Sequence, residues 1–396
     1  MTIDYNPFDE RLWQDPWPTY QTMREQDPVY YIEELNAWAL TRFEDLWNAS
    51  LERTHFTAIH GTSPVPLLLD ESLPPKVFLF MDPPQHRAHR NLVAPVYTPM
   101  NIAKLEKQIR QTCREVMAPY LVAGEMDVYK VSSHIALRTI GDIIGLGFEQ
   151  ILHIRQLVDT FYQREPGHIG TTESGLQAFS DAQDYIYSLI EEFRLQPPAE
   201  GTHIHTWLHA NIDDNSMSDD EIFFSIFALV VTGSDTLPLT VAATLYYLSQ
   251  QPAALLEVKN NLELVPNALA EATRIDQPTN ILGRVVVEDI ELRGKTLKKG
   301  DRVLFLYASA NRDEREFEQP DQFQLHRKAK RNLSFGTGVH FCLGQHLAKL
   351  EGQIILEEIF TALDDFEVDR DGSKRIFGEF LQGFNYLPIT FPARKL

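Results

Sequence analysis

The chain has 396 residues, of which 43% are apolar, and its formal net charge is −20. This charge disfavours nucleic acid and anionic membrane surfaces as partners, because both repel an acidic protein. Two cysteines in so long a chain argue against a disulfide framework and fit a reducing compartment. Residues 1–18 lack a basic and apolar signal segment, and no run of about 18 apolar residues occurs, so we predict a cytoplasmic protein without a membrane span.

The first part of the chain predicts a helix, a hairpin and an irregular segment. Asp15–Gln26 is predicted to be helical, and Val29–Ile32 and Ala37–Thr41 are β-prone runs joined by a polar turn. Residues 52–84 cannot form one long helix because prolines recur in them, namely Pro64, Pro66, Pro74, Pro75, Pro83 and Pro84.

The next predicted helix begins near Pro83 and Pro84, since proline is compatible with the first helical turn. His86 and Arg90 are four residues apart and therefore lie on one face of this helix. Two donors at this spacing can hold one carboxylate. An ordinary solvated basic face has the same spacing, so the pattern alone leaves both interpretations open.

Apolar periodicity predicts further helices over residues 101–121, 131–144, 151–162, 176–193 and 265–275. Cys113 falls on the apolar face of the first of these helices, where we expect its side chain to be buried and to have no chemical role. Residues 278–305 are predicted to form short strands.

The longest helical stretch is Ser218–Gln250, which is apolar on most faces and is expected to run through the core. Gly233, Asp235 and Thr236 are costly inside such a helix, since the glycine alone loses about 1 kcal/mol against alanine. Such costs are tolerated most often at functional sites. A structural explanation is also open, in which Asp235 is a buried ion-pair partner and Thr236 bonds back to the carbonyl of Thr232.

Pro238 is expected to disturb this helix. It has no N–H group, so the carbonyl of Ser234 loses its helical donor. We predict that the regular hydrogen bonding is interrupted within residues 232–236, which would open a groove. Thr232 is expected to narrow the space beside this groove.

The segment Phe335–Gly344 holds the second cysteine, Cys342, directly before a helical pattern. A thiol at a helix N-terminus is predicted to have a lowered pKa, and the thiolate is the form that binds metals. The glycines allow the loop backbone to lie close to a flat ligand. A lone cysteine among apolar neighbours is otherwise most often an inert, buried small side chain.

The spacing of Phe335, Gly336, Gly338, His340, Cys342 and Gly344 closely resembles the haem-binding loop of the cytochrome P450 family. The resemblance implies one domain over residues 1–396, mainly helical with small β-sheets. It places the haem between the long central helix and the helix that follows the cysteine loop. It also implies that Cys342 is the axial thiolate ligand of the haem iron.

The same resemblance assigns further roles. Asp235 and Thr236 would be an acid–alcohol pair that relays protons, and Glu271, Arg274 and Arg327 a buried network that holds the cysteine loop. The helices 151–162 and 176–193, with their linker Gln163–Ser174, would form a substrate lid. Haem b would be bound by His86, Arg90, Arg284, Phe335, His340 and Cys342.

Pocket-lining residues are expected in three regions. These are the irregular segment 52–84 with Leu79 and Phe80, the central helix with Phe227, Val231 and Thr232, and the segments Thr279–Leu282 and Gly383–Leu387. Most of these side chains are apolar, which suits a small or medium organic substrate, although pockets of all kinds are largely apolar.

The resemblance implies a soluble, monomeric, bacterial monooxygenase that uses dioxygen and receives electrons from a ferredoxin and its reductase. The basic run Arg327, Lys328, Lys330 and Arg331, with Arg87 and Lys349, would be the docking patch for this acidic donor, although a solvated turn has the same composition. Two other functions stay open, a peroxide-driven peroxygenase of the same fold and a non-catalytic haem-binding sensor or electron carrier.

Overall fold

The computed structural model describes residues 3–69, 77–165 and 167–394. Pro74 and Pro75 of the irregular segment, and Pro166 of the lid linker, lie outside the described residues. The chain is mainly helical with small sheets, as the sequence predicts.

Helices α1–α17 of the described residues are, in chain order, Glu10–Gln14, Trp17–Gln26, Phe43–Leu51, Pro64–Leu69, Gln85–Val93, Pro99–Ala103, Glu106–Ala123, Val128–Ile144, Phe148–Phe161, Glu173–Leu195, His203–Leu208, Asp219–Ser234, Thr236–Ser249, Pro252–Asn260, Val265–Ile275, Tyr307–Ala310 and Gln345–Ala362. Short 3-10 turns lie at Glu33–Leu35, Phe78–Phe80, Ala94–Tyr97, Leu262–Leu264 and Gly338–His340.

Strands β1–β14 are Val29–Ile32, Ala37–Leu40, Phe56–Thr57, Glu125–Asp127, Asn211–Ile212, Asn215–Ser216, Ile281–Val286, Ile290–Leu292, Lys295–Leu297, Arg302–Leu306, Glu367–Val368, Lys374–Phe377, Gln382–Tyr386 and Pro388–Thr390. The largest sheet has the strand order β1-β2-β10-β7-β3. The predicted hairpin is confirmed, since β1 and β2 pair antiparallel with Val29 opposite Leu40.

Helix boundaries differ from the predictions where local chemistry interrupts a periodic pattern. The first predicted helix, Asp15–Gln26, begins two residues later as α2, and a separate short helix that was not predicted, α1, precedes it. The segment predicted to be irregular contains a short helix, α4. Its two prolines lie in the first turn, and apolar residues complete it. The predicted helix over 101–121 is divided into α6 and α7 at Lys104 and Leu105.

The central helical stretch packs through the core as predicted, because α12 and α13 are buried on almost every face. The capping box is present at its start, where Ser218 and Glu221 bond reciprocally. Within the described ranges, Asp219–Ser249 is the one segment long and apolar enough to cross a membrane by composition, and 72% of its most apolar window is buried inside the fold.

Four elements bring the predicted site residues together. α5 carries His86 and Arg90, and β7 carries Arg284. The cysteine loop, Phe335–Gly344, contains the last 3-10 turn and leads directly into α17. α17 packs against α13 and α15. The interior of the protein between these elements is therefore where the site must lie.

Candidate active site

The cysteine loop is closed by backbone hydrogen bonds. The N–H of Cys342 donates to the carbonyl of Phe335 at 2.9 Å, and the N–H of Phe341 donates to the carbonyl of Gly338 at 3.2 Å. Gly338 has a φ of 77°, and a Cβ there would lie 2.2 Å from the carbonyl oxygen of Ser50. No other residue type fits this close approach, so Gly338 fixes the loop against the end of α3.

The space beside Cys342 is open. A Cβ built at Gly344, or at Gly336 on the other side of the loop, would meet no heavy atom within 4 Å. The whole run from Ser334 to His346 is partly accessible, although it lies between well-buried elements. The loop therefore borders a space that its own side chains do not fill.

The prediction of a lowered pKa for Cys342 is wrong. Burial raises the pKa of the Cys342 thiol, and the N–H of Gly344 and the charges of Arg90 and Lys349 lower it by less. The reason is position, because α17 begins at Gln345 and Cys342 lies three residues before it. Most N–H groups of the first helical turn are thus too far along the chain to favour the thiolate.

Two histidines meet beside the cysteine loop. The rings of His86 and His340 are 4.6 Å apart, and Nε2 of His86 is buried without a hydrogen-bond partner. Burial first, and then the nearby arginines, lower the pKa of His86 to about 4 and that of His340 to about 3. An unpartnered, buried ring nitrogen is costly unless a ligand completes the site.

Two arginines complete this group. Arg90 donates to the carbonyl of Phe341 at 2.6 Å, and Arg284 donates to the carbonyl of Gly283 at 2.7 Å. Burial lowers the pKa of both guanidinium groups. Among the described residues, neither arginine has a carboxylate within 4 Å. The charges of Arg90 and Arg284 both act on His340, so these side chains form one cationic group.

This donor group fits a haem. Haem carries two propionate carboxylates, and buried cations require an anionic partner. The unpartnered Nε2 of His86 and the arginines without carboxylates are the observations that favour such a ligand. Cys342 would hold the iron, because its sulfur is of the ligand type that thiolate-bound haem requires.

One face of the central helix is accessible. Between Ile222 and Leu245 every residue is buried except Ala228, Thr232, Gly233 and Thr236, and Thr232 is the most exposed. Ala228, Thr232 and Thr236 follow one another at a spacing of four, so they form a single stripe along the helix. The Thr232 hydroxyl donates to the carbonyl of Ala228 at 2.8 Å.

The predicted interruption of the helix is confirmed. α12 ends at Ser234 and α13 begins at Thr236, with Asp235 between them at φ −100° and ψ −47°. Pro238 cannot donate to the carbonyl of Ser234, which accounts for an interruption at this position.

Asp235 and Thr236 make the two contacts expected if both residues have a structural role. The Asp235 carboxylate forms a buried ion pair with Arg155 of α9, and Thr236 donates to the carbonyl of Thr232 at 3.3 Å. Burial raises the pKa of Asp235 to about 6, and Arg155 acts in the opposite direction. A carboxyl group with this pKa can both hold and release a proton near neutral pH.

The buried network is confirmed. Both Arg274 and Arg327 donate to the carboxylate of Glu271, at 2.7–3.1 Å. Arg274 also donates to the carbonyl of Asn311 at 2.8 Å, and the side chain of Asn311 accepts from the N–H of Leu333 at 2.9 Å. The network thus extends to Leu333, which lies two residues before the start of the cysteine loop at Phe335.

The predicted pocket lining is partly wrong. Asn280 is buried and bonds to Tyr20 and Gly378, and Ile281 packs in the core beside α2 and α4. Phe384 is buried against Tyr246, with ring centroids 4.0 Å apart. Sequence position alone could not show which side of these strands faces the interior space.

The turn between β12 and β13 instead contacts the end of α9, in the segment predicted to form a lid. Phe380 of this turn stacks on Tyr162 at the end of α9, with ring centroids 5.9 Å apart. Glu379 beside it accepts from Arg164 at 3.0 Å. The turn and the end of α9 are therefore joined by an aromatic contact and an ion pair that the sequence pattern did not indicate.

The predicted basic patch is smaller than expected. Arg327 is enclosed in the Glu271 network, and Arg331 pairs with Glu316 at 2.6 Å. Lys328, Lys330 and Arg87 are exposed, without a carboxylate within 4 Å in the described ranges. Lys349 is exposed as well and lies 5.2 Å from the centre of the Phe335 ring. Within the predicted patch, these four are therefore the cations without an ion pair to a described residue.

Comparisons with known proteins agree on one family. A family model described as Cytochrome P450 matches residues 156–384. A relative from Mycobacterium tuberculosis with the provisional name cytochrome P450 123 is 32% identical, over 98% of this chain and 97% of its own.

Two solved structures are similar over nearly the whole chain. CYP109E1 from Bacillus megaterium in complex with corticosterone has a TM-score of 0.82 at 28% identity, covering 97% of this chain and 100% of its own. P450BioI in complex with an acyl carrier protein ligated to hexadec-9Z-enoic acid has a TM-score of 0.85 at 25% identity, covering 96% of this chain and 100% of its own.

Proposed function

The chain belongs to the cytochrome P450 family, and from this premise we propose that it is a monooxygenase that inserts one atom of dioxygen into an organic substrate by hydroxylation or O-dealkylation. The cofactor would be haem b, with Cys342 as its thiolate ligand and Phe335 beside it in the loop. The observation that carries the proposal is the cationic group next to Cys342, in which neither Arg90 nor Arg284 has a carboxylate within 4 Å among the described residues.

His86, Arg90, Arg284 and His340 would hold the two propionates. When bound, the haem supplies the activation of dioxygen, while the protein orients the substrate and excludes water. Asp235 would pass protons inward, since its pKa of about 6 lies close to neutral pH. Thr236 on the accessible stripe would hold its hydroxyl proton on the haem side of the helix and would recover a lost proton from Asp235.

The substrate would be a medium-sized apolar skeleton, such as a steroid, a terpenoid or an acyl chain. Phe161 and Phe179 pack over Phe227 of the central helix, with ring centroids 5.7 and 5.4 Å away, and form an aromatic wall. The corticosterone and the acyl chain of the two similar structures are apolar skeletons of this kind. Thr232 would then limit the width of the pocket.

Electrons would come from a separate acidic iron–sulfur protein, a ferredoxin reduced by its reductase. Such a donor fits the exposed cations Arg87, Lys328, Lys330 and Lys349, because opposite charges steer association. We further propose that the protein works as a single domain and a monomer in the cytoplasm.

The carbon monoxide difference spectrum of the reduced protein tests this function. Thiolate-bound haem gives a Soret band at a characteristic long wavelength, and Cys342→Ser is expected to abolish it. Cys113→Ser is the matched control, because Cys113 is buried in α7 and should leave the band unchanged. A colourless protein, or a band that survives Cys342→Ser, contradicts the proposal.

Dioxygen consumption separates the monooxygenase from its alternatives. The proposal predicts consumption with a surrogate ferredoxin and reductase, accompanied by oxidised product from an apolar substrate. Product formed only with hydrogen peroxide would indicate a peroxygenase. Neither activity in a protein with the thiolate spectrum would indicate a sensor or an electron carrier.

A further inference from the structure

A tyrosine and a histidine are bonded to each other in the core beside the cysteine loop. Tyr97 ends the 3-10 turn after α5, and His203 is the first residue of α11. Tyr97 is 4% exposed and His203 is completely buried, and the phenolic oxygen of Tyr97 is 3.0 Å from Nε2 of His203. Apolar side chains would pack there without the cost of burying two polar groups.

The hydrogen bond runs from the phenol to the imidazole. If Tyr97 donates to Nε2, only Nδ1 of His203 is left without a partner. If His203 donates instead, the phenolic hydrogen also lacks an acceptor among the described residues. The first arrangement leaves fewer unsatisfied groups. Burial lowers the pKa of His203 to about 4, so its imidazole is neutral at neutral pH and able to accept a proton.

The pair lies close to the proposed metal ligand. Burial first, and then the charge of Cys342, raise the pKa of Tyr97. The turn that contains Tyr97 packs on α17, and α11 packs on α5. The Tyr97 ring is therefore adjacent to the elements that would hold the haem.

We propose that Tyr97 and His203 form a redox-active pair that supplies one electron to the haem group when a peroxide has oxidised it and no substrate is present. The proposal rests on the proposed function, since it requires the haem. The phenolic O–H bond breaks, the proton moves to Nε2 of His203 and the electron moves to the oxidised haem. Tyr97 is left as a neutral radical, and a one-electron reductant in solution, such as ascorbate, restores it as the proton returns.

The geometry explains why both residues are needed. A phenol that loses an electron becomes strongly acidic, so oxidation of a buried tyrosine requires a base at hydrogen-bond distance. His203 is that base, and its free electron pair points at the phenol. The positive charge that forms on His203 is costly in the core, so the proton returns to Tyr97 once the radical is reduced.

Freeze-quench electron paramagnetic resonance tests the pair. The ferric, haem-loaded protein is mixed with hydrogen peroxide without substrate, and the wild type is expected to give a tyrosyl radical signal that narrows when the tyrosines are ring-deuterated. Tyr97→Phe is expected to lose this signal, and its haem absorbance should bleach faster. His203→Gln keeps the tyrosine but should lose most of the radical yield.

Tyr20→Phe is the matched control. Tyr20 is as deeply buried as Tyr97, but its hydroxyl donates to the amide oxygen of Asn280 at 3.1 Å, which cannot take the proton. The control should keep the radical signal and the bleaching rate of the wild type.

Three results would overturn the proposal that Tyr97 and His203 form a redox-active pair. They are a radical signal and bleaching rate unchanged in Tyr97→Phe, an equal loss of signal in Tyr20→Phe, and a loss of thermal stability in Tyr97→Phe with no change in the signal. If the wild type shows the thiolate spectrum in carbon monoxide and one of these results is obtained, only the pair fails. If that spectrum is absent, the proposed function and the pair fail together.

Discussion

Arg155 of α9 forms a buried ion pair with Asp235, which lies between the two halves of the central helix. The same guanidinium group donates to the hydroxyl of Ser234 at 2.7 Å and pairs with Asp159 at 2.7 Å. α9 belongs to the segment that we propose as the substrate lid. The position of α9 and the ionisation of Asp235 are therefore linked through one side chain.

Replacing Arg155 by methionine should raise the pKa of Asp235. Burial already raises that pKa to about 6, and Arg155 is the main opposing influence. Because the folded pKa lies above the unfolded value, the ionised carboxylate costs stability, and this cost grows as the pH rises through the folded pKa. Arg155→Met is therefore expected to lose more free energy of unfolding at about pH 8 than at about pH 5, measured by urea denaturation.

Two variants control this experiment. Arg194→Met removes the ion pair with Asp219, in which both side chains are about half exposed, so it leaves no carboxylate buried and should lack the pH dependence. Asp235→Asn combined with Arg155→Met should lack it as well, because the buried carboxylate at position 235 is removed. An equal loss of stability at both pH values in Arg155→Met would contradict the prediction.

Local spacing predicted the parts of the site that lie on one element or in one loop. The Glu271–Arg274 pair stands three residues apart on α15, and His86 and Arg90 stand four apart on α5, so helical geometry determines that each pair shares a face. The interruption at Asp235 follows from the missing N–H of Pro238 alone.

Long-range partners could not be predicted in the same way. Arg155 meets Asp235 from a different helix, and no periodicity relates the two positions. The predicted pocket residue Phe384 faces Tyr246 because the β12–β13 register, with a shift between Lys374 and Arg375, determines which side chains point inward. The sequence placed Arg327 both in the buried network and in the basic patch, and the carbonyl groups of Glu318, Gln319 and Gln322 that enclose it show that it belongs to the network.

Arg284→Met should have opposite effects on the haem-free and haem-loaded proteins. Arg284 has no carboxylate within 4 Å in the described ranges, and burial lowers the pKa of its guanidinium group. Removing this cation should stabilise the haem-free protein by about 1 kcal/mol, because a desolvated charge is removed. The same change should speed haem loss, because a propionate donor is removed. Urea denaturation of the haem-free protein and haem transfer to apomyoglobin measure the two effects.

The charge-conserving variant Arg284→Lys is the control for this prediction. It keeps a cation at the site, so it should leave the stability of the haem-free protein close to that of the wild type and retain more haem than Arg284→Met. A methionine variant that is destabilised in both states would show that Arg284 serves packing instead of binding a carboxylate.

Glu271→Gln should cause loss of haem. The substitution leaves Arg274 and Arg327 buried without their anion, which costs about 3–5 kcal/mol. Because this network continues through Asn311 to Leu333, the cysteine loop should lose its support. The ratio of Soret to protein absorbance after purification measures retained haem.

Glu115→Gln is the matched control for Glu271→Gln. Glu115 pairs with Arg138 at 3.1 Å on the surface, where both side chains are at least one third exposed. Such a pair contributes at most about 1 kcal/mol, so haem content should not change. Equal haem content in the two variants would contradict a supporting role for the network.

Reversing the charge of Lys328 or Lys330 should weaken turnover driven by an acidic electron donor. Both lysines are exposed and have no carboxylate within 4 Å among the described residues, whereas Arg327 and Arg331 are paired with Glu271 and Glu316. Lys328→Glu and Lys330→Glu are each expected to raise the donor KM about tenfold at low ionic strength, since charge steering sets the association rate. The effect should fade in salt, because exposed charges are screened. Lys130→Glu changes the net charge equally at an exposed position of α8 and should leave the donor KM unchanged. An equal effect in this control would assign the loss to net charge instead of to a docking surface.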